Sequence, residues 1–322
     1  MTTADSPSLP DLAAIRAAAA RIAPHVLRTP VLRSDALDVL AGAALVFKCE
    51  NLQKVGAFKA RGACNAVFAL DAAAAAHGVV THSSGNHGAA LAFAARARGI
   101  PAYIVMPDNA PAIKVANVES FGGRVHFCAP TVAAREAACA ALQREHRAAL
   151  IHPFDNADVI AGAATVALEL VEAHPDLDAV IAPCGGGGLM SGTAIAAKAI
   201  KPSIRVYGAE PANAGDAAAS FRSGHIEPVM PTATIADGLR TALLPRTFNA
   251  IRAHVDDLQT CSEEAIVAAM RLMWERLKVV VEPSSAVPLA CVLEKRYPID
   301  GKRVGIIVSG GNVDLDRLPW QR

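Results

Sequence analysis

Ala179-Val180-Ile181-Ala182-Pro183-Cys184-Gly185-Gly186-Gly187-Gly188-Leu189-Met190-Ser191-Gly192 runs from a short apolar strand through four consecutive glycines into a helical pattern. Four glycines in a row leave no side chain in the way, so backbone amides at the helix start can close on a phosphate. The stretch is neither a Walker loop, since it lacks GK[ST], nor a well-formed GxGxxG dinucleotide fingerprint. A flexible turn is the plain alternative. Ordering a tetraglycine directly after a buried strand is entropically costly without a ligand, which favours a monophosphate.

The same strand–turn–helix unit recurs along most of the chain. Strands are expected at Leu45–Cys49, Val79–His82, Tyr103–Met106, Arg124–Phe127, Ala179–Ala182, Arg205–Ala209 and Arg303–Val308. Helices are expected near Phe58–Ala76, Asn86–Arg98, Pro111–Phe121, Thr131–Arg147, Val159–Ala173 and Leu189–Ile200. Such alternation predicts an α/β protein of right-handed βαβ units, with mostly parallel, doubly wound sheets covered by helices on both faces. The compact repeats of residues 77–153 are expected to form a small domain of their own. It would be inserted into a larger domain made of residues 1–76 and 154–322. Ligands in such sheets bind beyond the carboxyl ends of strands, so motifs there carry most weight.

Composition excludes several classes. The 31 basic and 30 acidic residues are scattered and only 4% of residues are aromatic, which argues against nucleic-acid binding. The seven cysteines lie far apart with no CxxC pair, as expected of reduced thiols in a cytoplasmic protein. No apolar run reaches membrane-spanning length, and no membrane partner is expected.

Three more stretches carry chemistry. In Gln53-Lys54-Val55-Gly56-Ala57-Phe58-Lys59-Ala60-Arg61-Gly62, a lysine follows an aromatic residue at a helix start, where desolvation would favour its nucleophilic amine. His82-Ser83-Ser84-Gly85-Asn86-His87-Gly88 follows a strand and opens a helix whose amides suit a carboxylate. There Ser84 is either an acid–base hydroxyl or a helix cap. Ser309-Gly310-Gly311-Asn312 places a hydroxyl at the end of the last strand. Glu210 and Asp216, six residues apart, are either solvated charges or a modest pair of hard-cation ligands.

In order and spacing, Phe58 to Gly62, Ser83 to His87, Gly185 to Gly188 and Ser309 to Asn312 resemble the fold-type II pyridoxal-phosphate enzymes. Among these the chain is most similar to serine racemases and the serine/threonine and 3-hydroxyaspartate dehydratases. The resemblance covers nearly the whole chain and implies that Lys59 holds the cofactor aldehyde and takes the substrate's Cα proton. Gly185, Gly186, Gly187 and Gly188 would cradle the phosphate, Asn86 would contact the ring hydroxyl, Phe58 would pack on the ring, and Ser309 would bond its nitrogen. Ser83, Ser84, Asn86 and His87 would receive the substrate, with Ser84 as the second catalytic group of a racemase. Arg135 and Thr241 match positions that reach the substrate side chain or a second carboxylate. Glu210, the Ala214 carbonyl and Asp216 match a divalent-cation site for magnesium, manganese or calcium. Ala89 and Phe121 depart from the glutamine and tyrosine of the nucleotide-binding surface in mammalian racemases, so ATP activation is not expected.

The resulting expectation is a homodimeric dehydratase (ammonia-lyase) that turns L-serine, L-threonine or 3-hydroxyaspartate into a 2-oxo acid and ammonia. Serine racemisation is an alternative main activity. β-Replacement and a non-catalytic phosphate-metabolite binder remain as rivals.

Overall fold

The computed structural model describes residues 8–83, 85–230 and 233–321. Among the described residues ten strands occur in chain order: β1 (Val31–Leu32), β2 (Ala44–Cys49), β3 (Val79–His82), β4 (Ala102–Pro107), β5 (Arg124–Cys128), β6 (Ala149–Leu150), β7 (Ala179–Pro183), β8 (Arg205–Pro211), β9 (Asp257–Cys261) and β10 (Arg303–Val308). They form a six-stranded sheet in the order β1-β2-β10-β7-β8-β9 and a four-stranded sheet in the order β5-β4-β3-β6. Only the β1–β2 pair is antiparallel among the described residues.

Alternate residues of the same strands show that both faces of the large sheet are covered. Ile181 and Ile306 face a core shared with helices Glu263–Leu277 and Pro283–Leu293. Val180 and Ile307 face the opposite core, against helices Ala157–Ala173 and Gly188–Ile200. This is the arrangement that continuous apolar strand runs demand of a parallel sheet. In the smaller sheet, Val79 and Ile104 pack with Ala63, Cys64 and Val67 of helix Lys59–Ala69 and with helix Asn86–Arg98. Val80 and Val105 pack on the other side, against Cys139 and Leu142 of helix Val132–His146.

The expected helix Phe58–Ala76 is two helices, Lys59–Ala69 and Ala72–Ala76. Asp71 accepts the Ala74 N–H and caps the second one, so a new helix starts where one long helix was expected. All seven cysteines are free, and no described helix is long and apolar enough to cross a membrane.

Candidate active site

The segment ahead of Lys59 is bound to a loop 250 residues later in the chain. Val55 and Gly56 both take positive φ, 57° and 69°, turning the chain sharply before the helix. A Cβ on Gly56 would stand 2.5 Å from Asn312 Oδ1, so this close approach requires glycine. Gly311 N–H donates to Gly56 O and Phe58 N–H donates to Ser309 O, each at 2.9 Å. Lys59 thus opens its helix at the carboxyl end of β10. Its Nζ donates to Pro153 O at 2.8 Å and lies 5.0 Å from the Phe58 ring centre. Burial of the ammonium end, within a residue that is only partly buried overall, pushes its pKa down to about 8.

One half-turn later, Arg61 is fully buried between two carboxylates. It donates to Glu50 at 2.7 and 2.8 Å and to Glu169 at 2.7 and 3.0 Å. Lys48 completes a charge-neutral quartet by donating to Glu169 at 2.5 Å and to Thr29 O at 2.8 Å. Charges are retained inside a protein only when paired and hydrogen-bonded in this way. The quartet ties β2, the turn at Glu50, the helix of Lys59 and helix Ala157–Ala173 into one unit. In the sequence Arg61 stands out only as part of a motif, because its partners lie 11 and 108 residues away.

The tetraglycine loop is sterically determined. Gly187 adopts φ 84°, a left-handed conformation that other residues rarely take, and a Cβ there would meet Leu243, Thr247 and Ile251 at 2.7 to 3.0 Å. A Cβ on Gly186 would stand 2.5 Å from the Phe154 ring, and one on Gly188 would stand 2.9 Å from Phe154 Cβ. The loop therefore enters helix Gly188–Ile200 with its amides unshielded by side chains, the form of an anion cradle at a helix N-terminus.

Asn86 opens the helix after β3. Its Nδ2 donates to both oxygens of Glu282, at 3.0 and 3.1 Å, and its Oδ1 accepts from Asn312 Nδ2 at 2.9 Å. Glu282 also accepts the Asn312 N–H. Burial pushes the Glu282 carboxyl up to about 7, against the lowering pull of the Asn86 hydrogen bond. Ser309 is buried at the end of β10, its hydroxyl 3.0 Å from that of Ser285, which in turn bonds the Gly310 backbone at both N and O. The sequence alone points to no role for Glu282 or Ser285; both act from the helix start at Pro283, in direct hydrogen-bond contact with the motifs they hold.

Ser83 Oγ accepts the Gly85 N–H at 3.3 Å, whereas Ser84 lies outside the described residues. His87 is buried, with Nε2 3.2 Å from Ile151 O and Nδ1 without a partner. Burial, then the neighbouring Lys59, holds it well below its ordinary pKa, so it is neutral. His82 and His152 meet edge to face at 5.7 Å, and Arg135 stands close enough to His82 to help burial lower its pKa. Thr241 is exposed on the loop between Leu239, which stands against Gly185, and Leu243, which stands against Gly187.

Glu210 and Asp216 are both buried. Glu210 accepts the Ala218 and Ala217 N–H groups at 2.8 and 3.3 Å, while both Asp216 oxygens have no partner. Burial and the nearby Asp216 push Glu210 well up, and burial pushes Asp216 up to about 6. No cluster of three His, Cys, Asp or Glu side chains set to hold a metal occurs among the described residues. Two unpartnered buried carboxylate oxygens beside a second buried acid fit a cation with oxygen ligands.

A partly neutral lysine amine, a side-chain-free anion cradle and a buried hydroxyl at a strand end together fit an aldehyde-bearing aromatic phosphate. Comparison with known proteins agrees. The family profile described as "Pyridoxal-phosphate dependent enzyme" matches residues 22–310. A beta-hydroxyaspartate dehydratase of Paracoccus denitrificans is 51% identical over 304 residues, covering 94% of this chain and 96% of that protein. A serine racemase of Arabidopsis thaliana is 51% identical over 313 residues, covering 96% of this chain and 95% of its own. The structure of maize serine racemase superposes with a TM-score of 0.94 at 50% identity, covering 96% of this chain and 95% of the maize one.

Proposed function

The chain belongs to the pyridoxal-phosphate dependent enzymes, and from that premise we propose that it dehydrates a β-hydroxy amino acid to a 2-oxo acid and ammonia. L-Serine, L-threonine and 3-hydroxyaspartate are the substrates of this reading. The observation that carries it is the Ser309–Ser285 hydroxyl pair at the end of β10. The bound cofactor supplies an aldehyde for the substrate amine and a ring that draws electrons from Cα, weakly where its nitrogen meets a hydroxyl, which favours expelling a β-hydroxyl.

Each residue then has a task. The amides of Gly185 to Gly188 would hold the phosphate, Phe58 would pack on the ring, Asn86 would meet the ring hydroxyl and Ser309 the ring nitrogen. Ser83, Asn86 and His87, at the start of helix Asn86–Arg98, receive the substrate carboxylate. Lys59, whose desolvated amine is readily neutral near pH 8, takes the proton from Cα. Arg135 and Thr241 serve the substrate side chain. A divalent cation at Glu210, the Ala214 carbonyl and Asp216 belongs to the same reading, supported by the unpartnered Asp216 oxygens. So do a homodimer and a cytoplasmic location.

Racemisation of serine is the second reading, favoured by the 51% identity to a serine racemase. Assaying 2-oxo acid release and enantiomer exchange over the three substrates separates the two. A purified protein with no visible absorbance band sensitive to borohydride would overturn both and leave a phosphate-metabolite binder.

A further inference from the structure

The reactive amine and the anion cradle are touched by the same short turn, between β6 and helix Ala157–Ala173. Pro153 O accepts from Lys59 Nζ at 2.8 Å. The next residue, Phe154, lays its ring against Gly186 and its Cβ against Gly188. His152 Nδ1 accepts the Asp155 N–H at 2.9 Å and the Phe154 N–H at 3.4 Å, which closes the turn on itself. Asp155 binds Arg246 through its carbonyl at 2.8 Å and its carboxylate at 3.0 Å. Arg246 lies in helix Pro245–His254, whose Thr247 and Ile251 stand against Gly187. The turn is therefore anchored at both ends and reaches the glycine loop from two sides.

We infer that Phe154 is a positioning residue. Its ring is one wall of the phosphate cradle, and the turn His152–Asp155 holds that wall at a fixed distance from the Lys59 amine. Two features argue that the ring is there for the ligand as well as for packing. It is only partly buried, so it is not a core side chain. It also fills the space into which a side chain on Gly186 would project, 2.5 Å from that Cβ position. His152 keeps both accepted N–H bonds only while Nδ1 carries no proton. Burial first, then His82, Lys59 and Arg246, pushes its pKa down to about 4, which keeps the turn closed at neutral pH. The inference rests on the cofactor assigned above, and its test reads binding instead of turnover.

The test uses apo-protein and two probes, pyridoxal phosphate and pyridoxal, which share the aldehyde and ring but differ in the phosphate. Binding is followed by visible absorbance. Phe154→Ala is expected to weaken pyridoxal phosphate by about tenfold, the loss typical of removing one well-packed aromatic contact. Its affinity for pyridoxal should stay near wild type. Phe154→Leu should recover part of the loss. Gly186→Ala should weaken the phosphate form in wild type but add little in the Phe154→Ala background, because the three atoms nearest its new methyl all belong to that ring. Equal losses for both probes, or a Phe154→Ala protein that binds pyridoxal phosphate like wild type, would overturn the inference. If Phe154→Ala does not fold, Phe154→Leu carries the same comparison. A wild type that binds neither probe refutes the cofactor assignment itself, a separate failure.

Discussion

The amide of Asn86 and the carboxylate of Glu282 face each other at 3.0 and 3.1 Å, although 196 residues separate them in the chain. The contact joins the helix after β3, in the smaller sheet, to the helix start beside β10, in the larger one. Asn86 is thereby held from behind by a buried acid, with Asn312 bonded to both.

Glu282 makes stability depend on pH in a definite direction. Its folded pKa of about 7 lies above the unfolded value, so the folded state binds the extra proton. Its favourable contribution is full below about pH 4.5 and is lost as pH rises through about 7. Across that window wild type should lose about 3 kcal/mol of unfolding free energy relative to Glu282→Gln. Urea unfolding at pH steps between these limits measures the difference. Parallel pH profiles for the two proteins would show that the carboxyl is not shifted.

Lys59→Ala is expected to remove the visible absorbance of bound cofactor and to lower elimination by about 10²–10⁴-fold or more. In wild-type apo-protein, the rate of cofactor uptake should rise with pH through about 8, because only the neutral amine attacks an aldehyde. Stopped-flow absorbance reads this rate. A flat profile, or a variant with near-native turnover, would place the anchor on another lysine.

Magnesium, manganese or calcium should raise the unfolding temperature of wild type and leave Asp216→Ala unchanged. At a cation concentration a hundredfold above Kd the stabilisation is about 3 kcal/mol. Differential scanning calorimetry with each chloride salt checks it, and equal shifts in both proteins would exclude these carboxylates as ligands.

Ser84→Ala should abolish interconversion of L- and D-serine while leaving elimination from the L-substrate near wild type. Racemisation needs a second acid–base group on the face opposite Lys59, and the resemblance puts a serine hydroxyl there. Chiral chromatography of the serine pool decides it. If the variant still exchanges the enantiomers, the second group is another residue.

Local signals explain what the sequence made legible. β7 and β10 are short apolar runs, each followed after a single residue by glycines, so both strands and both loops announce themselves. β9, read Asp-Leu-Gln-Thr-Cys, is a polar edge strand with no such run, and β6 is only two residues long. Helix Pro283–Leu293 carries Pro288 in its interior, a residue that argues against a helix. In the site, Lys59, the glycines and Ser309 belong to contiguous motifs. Pro153, Phe154, Glu282 and Ser285 act through contacts that only the folded chain creates, and no spacing rule points to them.

The central place of β10 sets when the cofactor can arrive. β10 lies between β2 and β7, and Ser309 at its end bonds the backbone of Phe58. During synthesis everything before residue 303 emerges with a gap in the middle of the large sheet. Lys59 is then made early, yet the loop that seats it appears some 250 positions later. The two parts of the lysine's seat therefore meet only once β10 has paired with β2 and β7, so cofactor loading is a late step that follows closure of the large sheet. Chains cut short of residue 303 should therefore take up no pyridoxal phosphate.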